Sequence, residues 1–138
     1  MAAELPDAVP PGDADSKPFW ASCARHAMEL QRCEACAAFR YPPRSVCPRC
    51  LDDRAVWVPV RGTGTVYVQL AVYPRGKGAS PEPFSLTIVE LDEGVRMWSN
   101  VVGCAPDDVR IGDRVRITYQ DVTDGAIPRF ELDASLGG

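Results

Sequence analysis

The stretch Cys33-Glu34-Ala35-Cys36, followed ten residues later by Cys47-Pro48-Arg49-Cys50, carries the fold of this 138-residue chain. Two C-x2-C pairs at that separation supply four thiolates, the tetrahedral set that zinc accepts at about 2.3 Å per sulfur. Each tight turn brings two sulfurs to one side of an ion and aims backbone N–H groups at them. A complete four-cysteine set leaves no open coordination position, so the expected zinc is structural rather than catalytic. Spacing alone does not separate zinc from iron in a rubredoxin-like site. A redox dithiol would want a helix-start cysteine in a βαβ setting, and neither pair has that context.

Residues 30–54 form the expected ribbon. Pro42, Pro43 and Pro48 interrupt it, and it holds too little apolar material for a core of its own. Structural zinc sites in small peptides bind with ~10–16 kcal/mol near neutral pH. Ordering the backbone costs roughly 1–2 kcal/mol per residue, so the metal offsets that entropy only in part. Docking against a neighbouring helix and barrel must supply the remainder. Four thiolates around one divalent ion leave the site anionic, and Arg32, Arg40, Arg44 and Arg49 surround it against Glu34, the single acid within residues 32–50. These arginines balance the site's charge, or some of them reach a ligand phosphate or a partner's carboxylate.

On the N-terminal side, residues 1–16 are acidic and proline-rich with no periodic apolar pattern, an expected disordered arm. Residues 17–29 read as a helix. Ser16 can cap it, Pro18 suits its first turn, and Phe19, Trp20, Cys23 and Ala27 fall roughly on one face. On the C-terminal side, residues 55–133 change to a period of two. Expected strands cover 56–60, 65–73, 84–91, 95–102, 114–120 and 129–132, with Val66, Val68, Leu70 and Val72 on one face. Asp92-Glu93-Gly94 makes a hairpin turn. Gly62-x-Gly64 is not followed by a helix, so it permits a strand bend or bulge rather than a phosphate loop. Short strands with regular turns and one longer connection favour an OB-like barrel. The expected fold is therefore mainly β: an N-terminal helix, a zinc ribbon and a C-terminal OB-fold barrel.

Composition narrows function by exclusion. Apolar residues are 46% and charged residues 25%, an ordinary globular balance, while 13 prolines and 11 glycines argue against a helix bundle. No apolar run reaches the ~18 residues needed to span a bilayer, and the N-terminus lacks the basic start and apolar centre of a secretory signal. A cytoplasmic protein without membrane attachment is expected. The net charge of −4 opposes a nucleic-acid binder, whose affinity comes mainly from neutralising phosphates. The sole histidine, His26, has no nucleophile beside it, and Cys23 and Cys104 read as packing residues. Asp92-Glu93 and Asp107-Asp108 are turn and cap residues before they are paired acids. Nothing here amounts to a self-sufficient active site.

The order of motifs resembles a known family. Phe19-Trp20, Leu30-Gln31-Arg32-Cys33, Arg40-Tyr41-Pro42-Pro43-Arg44 and Val46-Cys47-Pro48 are followed by Gly62-Thr63-Gly64-Thr65-Val66-Tyr67, Val89-Glu90-Leu91-Asp92-Glu93-Gly94-Val95 and Ile111-Gly112-Asp113-Arg114-Val115. Together they are similar to the rubredoxin-like zinc-ribbon plus OB-fold family, first described as a domain of unknown function, over residues 17–132. The resemblance implies partnership with thiolase-like enzymes: thiolases, hydroxymethylglutaryl-CoA synthase relatives, steroid side-chain aldolases and carbon-acylating transferases. Some members accompany or are fused to acyl-CoA hydratase-like domains. It implies that catalysis belongs to the partner, and that the ribbon–barrel subunit organises the complex and helps hold acyl-CoA. Positions matching the family here carry the four zinc ligands and nothing catalytic. Ribbons of this type often place Gly just after each Cys pair, where this chain has Ala37 and Leu51.

Three functions follow as expectations. The first is a non-catalytic accessory subunit in a hetero-oligomer with a thiolase-like catalytic subunit, required for activity though no enzyme by itself. Phe19, Trp20 and the barrel strands would form its contact. The second is a free-standing acyl-CoA-binding module in which Arg32, Arg40, Arg44 and Lys77 meet the nucleotide phosphates of a coenzyme A thioester. The third is a nucleic-acid-binding OB module, which the acidic balance disfavours.

Overall fold

A computed structural model describes residues 14–76 and 82–133. Helix α1 (Lys17–Ala24) leads into β1 (Glu29–Cys33), β2 (Phe39–Arg40) and β3 (Ala55–Pro59). The long strands β4 (Thr63–Val72) and β5 (Phe84–Leu91), β6 (Arg96–Ser99), a 3-10 turn at Pro106–Asp108, β7 (Arg114–Val122) and β8 (Gly125–Leu132) follow. Among the described residues no helix is long and apolar enough to cross a membrane.

The helix is five residues shorter than the sequence suggests. His26 takes a left-handed φ of 59°. Its N–H donates to the Cys23 carbonyl at 2.9 Å, and that of Ala27 to the Ser22 carbonyl at 3.1 Å. This is a Schellman closure with histidine where glycine is usual, so no glycine in the sequence marks the end. The imidazole stacks on Tyr119 (4.8 Å between ring centres, 9° between planes), and its Nε2 lies 2.6 Å from Asp121 Oδ1. Residues 25–29, expected as helix, instead turn into β1.

β3 was expected as the first barrel strand. It pairs antiparallel with β1 from Glu29–Pro59 to Cys33–Ala55, completing a three-stranded sheet in the order β2-β1-β3. The ribbon thus borrows the apolar strand Val56-Trp57-Val58 that its own residues lack. The second sheet runs β6-β5-β4-β7-β8 and curls until the chain after β6 meets β8. Val101 forms a parallel bridge with Phe130, Val102 N–H donates to the Phe130 carbonyl at 2.8 Å, and Phe130 N–H to the Asn100 carbonyl at 3.0 Å. This OB-like curl encloses Val66, Val89, Leu91, Met97, Val115 and Phe130, in one continuous core with Phe19 and Cys23 of α1 and Met28 and Leu30.

β4 departs from strict alternation. Val66 pairs with Val89, but Val68 pairs with Ile88, the very next residue of β5, so Tyr67 is an extra residue on one strand. A one-residue bulge exchanges the two faces of everything beyond it. Val66 is therefore in the core, whereas Leu70, expected beside it, is 54% exposed. Beyond the bulge the inner face becomes polar. Thr87 Oγ1 donates to Gln69 Oε1 at 2.7 Å, and Gln69 Nε2 donates to the Pro106 carbonyl at 3.1 Å. Val68, Leu70, Phe84, Leu86 and Ile88 face outward beside Trp98, which is 56% exposed.

Two glycines are dictated by space. A Cβ at Gly62, whose φ is +78°, would lie 2.3 Å from Ile117 Cγ2, and one at Gly64 would lie 2.5 Å from the Glu90 carbonyl. The Gly-x-Gly element lets β4 pass close to β5 and β7, and the bulge itself falls three residues later.

Candidate metal centre

The four sulfurs of Cys33, Cys36, Cys47 and Cys50 all lie within 4.8 Å of one another. Cys33 and Cys50 are 3.5 Å apart, and Cys36 and Cys47 are 3.6 Å apart. A tetrahedron with about 2.3 Å from centre to sulfur has edges of about 3.8 Å, so the donor set fits a zinc ion. Cys33 and Cys47 are buried, while Cys36 and Cys50 are exposed.

Two equivalent knuckles hold the sulfurs. In the first, Ala37 N–H donates to the Cys33 carbonyl at 2.9 Å and Cys33 N–H to the Ala38 carbonyl at 2.8 Å. In the second, Leu51 N–H donates to the Cys47 carbonyl at 2.9 Å and Cys47 N–H to the Asp52 carbonyl at 2.9 Å. Ala37 and Leu51 both have a φ of 66°, the left-handed turn expected at the two positions where glycine is missing. The turns aim N–H groups at the leading sulfurs. The Cys47 thiol is held down to about 6, first by the Cys50 N–H and also by the Arg49 N–H, and the Cys33 thiol is lowered, first by the Cys36 N–H. The Asp52 N–H pulls on Cys50, but the crowd of neighbouring sulfurs together with burial pushes that thiol up to about 12. Such a set prefers its thiolate form only around a cation. Bound there, zinc supplies cross-linking of the two knuckles and no open coordination position.

The structure sorts the candidate contact residues. Phe19 is 2% exposed, packed edge-on against Trp20 and Tyr41 inside the chain's own core, and Trp20 is half-buried against the same cluster. The expectation that Phe19 presents a partner contact is corrected: it is the wedge between helix and ribbon. Arg40 is 1% exposed and donates to three carbonyls, so it does not reach a ligand phosphate. Arg32 and Arg44 are exposed, and Arg44 N–H donates to Gln31 Oε1 at 2.9 Å. Lys77 and most of the expected N-terminal arm lie outside the described residues.

A cleft of about 500 Å³ runs between the first knuckle and the β5–β6 turn, lined by Cys36, Ala37, Phe39, Arg49, Glu93 and Val95. Glu93 Oε2 accepts from Arg61 N–H at 2.9 Å, whereas its buried Oε1 has no hydrogen-bond partner among the described residues. Arg49, one of the arginines expected around the cysteines, lines this cleft, whereas Glu93, expected only as a turn residue, joins it from the barrel side. Residues 44 positions apart cannot be paired by spacing; the Gly94 turn was the available clue.

Known proteins place this geometry in a family. Residues 20–56 match the ChsH2 rubredoxin-like zinc ribbon domain, and residues 57–120 match the ChsH2 C-terminal OB-fold domain. A DUF35 domain-containing scaffold protein of Methanocaldococcus jannaschii is 32% identical over 109 residues, 75% of this chain and 77% of that protein. A 3-oxo-4,17-pregnadiene-20-carboxyl-CoA hydratase alpha subunit of Mycobacterium tuberculosis is 34% identical over 133 residues, 93% of this chain and 42% of that protein. This chain spans less than half the length of the hydratase alpha subunits it matches. Among solved structures, the Ltp2-ChsH2(DUF35) aldolase contains a chain with a TM-score of 0.81 and 30% identity, covering 90% of this chain and 98% of that one. From its paired cysteine knuckles to its curled barrel, this chain belongs to the DUF35 family of ChsH2-type zinc-ribbon and OB-fold proteins.

Proposed function

We propose that the chain is a zinc-bearing, non-catalytic accessory subunit that joins a thiolase-like enzyme acting on acyl-CoA substrates in the cytoplasm. The observation that carries this reading is the near-complete match to the ChsH2(DUF35) chain of a two-component aldolase. Relatives named as scaffold proteins and hydratase alpha subunits support it. So does the chemistry. The metal site is closed, and His26 is engaged with Tyr119 and Asp121 rather than with a nucleophile. The outward apolar strip around Leu70, Ile88 and Trp98 is the kind of surface that subunits cover.

Within the complex, Cys33, Cys36, Cys47 and Cys50 hold zinc and keep the ribbon rigid beside the barrel. Co-expression with a thiolase-like protein encoded next to this chain should yield a stable stoichiometric complex. Elution of the two in separate peaks at micromolar concentration overturns the reading.

The cleft beside the first knuckle favours a second role, contact with the acyl-CoA itself. Exposed Arg49 lines it, exposed Arg44 lies on the same ribbon, and both would meet phosphate charge. Loss of acyl-CoA binding in Arg44→Glu with an unchanged pull-down of the partner supports that contact. Unchanged acyl-CoA binding in both Arg44→Glu and Arg49→Glu removes it.

A further inference from the structure

Arg40 stands out as a fully buried cation inside a segment that has almost no core. Its guanidinium reaches three carbonyls from two separate stretches of the ribbon. Nη1 donates to the Arg44 carbonyl at 3.1 Å, and Nη2 donates to the carbonyls of Asp52 at 3.1 Å and Arg54 at 3.3 Å. Two of these acceptors are themselves knuckle parts. The Asp52 carbonyl closes the second knuckle by accepting from Cys47 N–H at 2.9 Å, and the Arg54 carbonyl accepts from Glu34 N–H of the first knuckle at 3.1 Å. One nitrogen therefore bridges the carbonyl that shapes one cysteine pair and the carbonyl that receives the other.

We infer that Arg40 is the positioning residue of the metal centre, holding the two cysteine knuckles at the spacing a single tetrahedral ion requires. The inference rests on the zinc-site reading above. The physical case is geometric. Residues 41–46, between the strand that carries Arg40 and the second knuckle, include Pro42 and Pro43, which have no N–H to donate. Backbone ladders cannot tie this stretch down, and of residues 41–46 only Tyr41, at its start, packs against the core. A planar fork with five donors can serve several carbonyls at once, whereas an ammonium is a compact point on a flexible stem. Outer partners of this kind orient the ligands without touching the metal.

The test uses the full chain, purified with zinc, in wild-type, Arg40→Lys and Arg40→Met forms, with Arg110→Met as a charge-matched control. Zinc transfer to a colorimetric chelator should be about tenfold faster or more in Arg40→Met, with Arg40→Lys between it and wild type. Arg110→Met should match wild type. Cobalt-substituted Arg40→Lys should show displaced d–d and thiolate charge-transfer bands, which a loss of general stability alone would leave in place. If Arg40→Met does not fold, Arg40→Lys decides. Release within twofold of wild type, or faster release with a superimposable cobalt spectrum, overturns the positioning role. A wild-type protein that retains no metal refutes the zinc site itself, an outcome visible before any variant is compared.

Discussion

Ala37 and Leu51 occupy the same place in two copies of one turn: each has a φ of 66° and donates its N–H to the carbonyl of the leading cysteine four residues earlier. The left-handed region crowds a Cβ against the following carbonyl and costs roughly 1–2 kcal/mol for a residue other than glycine. The knuckles hold both residues there because the alternative is to splay the sulfurs. Glycine would remove the strain at some cost in chain entropy. Leu51 is 75% exposed, so losing its side chain forfeits little burial. Ala37→Gly and Leu51→Gly should each stabilise the zinc-loaded protein by about 0.5–1 kcal/mol, read from the denaturant midpoint. A lowered midpoint in both would contradict the strain argument.

Replacing one ligand should do far more. Cys33 is buried at the end of β1 and pairs with Ala55 of β3, so the metal site continues directly into the ribbon sheet. Cys33→Ser should abolish stoichiometric zinc, measured by elemental analysis, and turn the protein insoluble, because the binding free energy is also folding free energy. An unaltered melting curve in Cys33→Ser would exclude a structural metal.

Acid should reveal the hairpin turn. Both Asp92 oxygens accept from Arg114 at 2.9 Å, and this partner, with help from Thr63, holds the Asp92 carboxyl down to about 2 despite partial desolvation. A carboxylate depressed in the folded state stabilises fully above its unfolded value of about 3.9 and loses that contribution as pH falls towards about 2. The pair is partly exposed, so Asp92→Asn should cost about 1 kcal/mol at pH 7. It should also flatten the fall in stability between about pH 4 and pH 2. Parallel pH profiles for wild type and variant in that window would show that the pair carries no linkage.

Gly64 tests the close approach of β4 to β5. Its missing Cβ would meet the Glu90 carbonyl at 2.5 Å and Val89 Cγ1 at 2.8 Å, backbone and core atoms with little room to move. Gly64→Ala should destabilise by about 1–3 kcal/mol as overpacking. A neutral effect in chemical denaturation would mean that the strand pair has slack there.

The cysteine pairs and several strands follow from chemistry confined to a few adjacent residues. The strand Phe84–Leu91 has the bounds expected of it, and its burial alternates without a break because the extra residue of the β4–β5 pair lies on β4. Elsewhere the outcome depends on residues far apart in the chain. His26 ends the helix only because Tyr119 and Asp121, some 95 positions away, receive its ring. β8 extends back to Gly125 through Pro128, which lacks an N–H for the ladder. Its carbonyl is instead taken by Ser99 Oγ across the curl of the sheet.

The amino-acid sequence by itself determined the four-cysteine donor set, the period-two barrel and the family. Thiolate chemistry and the period of two are properties of neighbouring residues, legible before any distant partner is known. Only the tertiary structure decided that Ala55–Pro59 completes the ribbon, that Tyr67 exchanges the faces of β4, that Phe19 is core and that Arg40 lies inside. Each of these depends on which distant backbone supplies a partner for a donor or cover for an apolar surface, and that partner exists only once the sheets have closed.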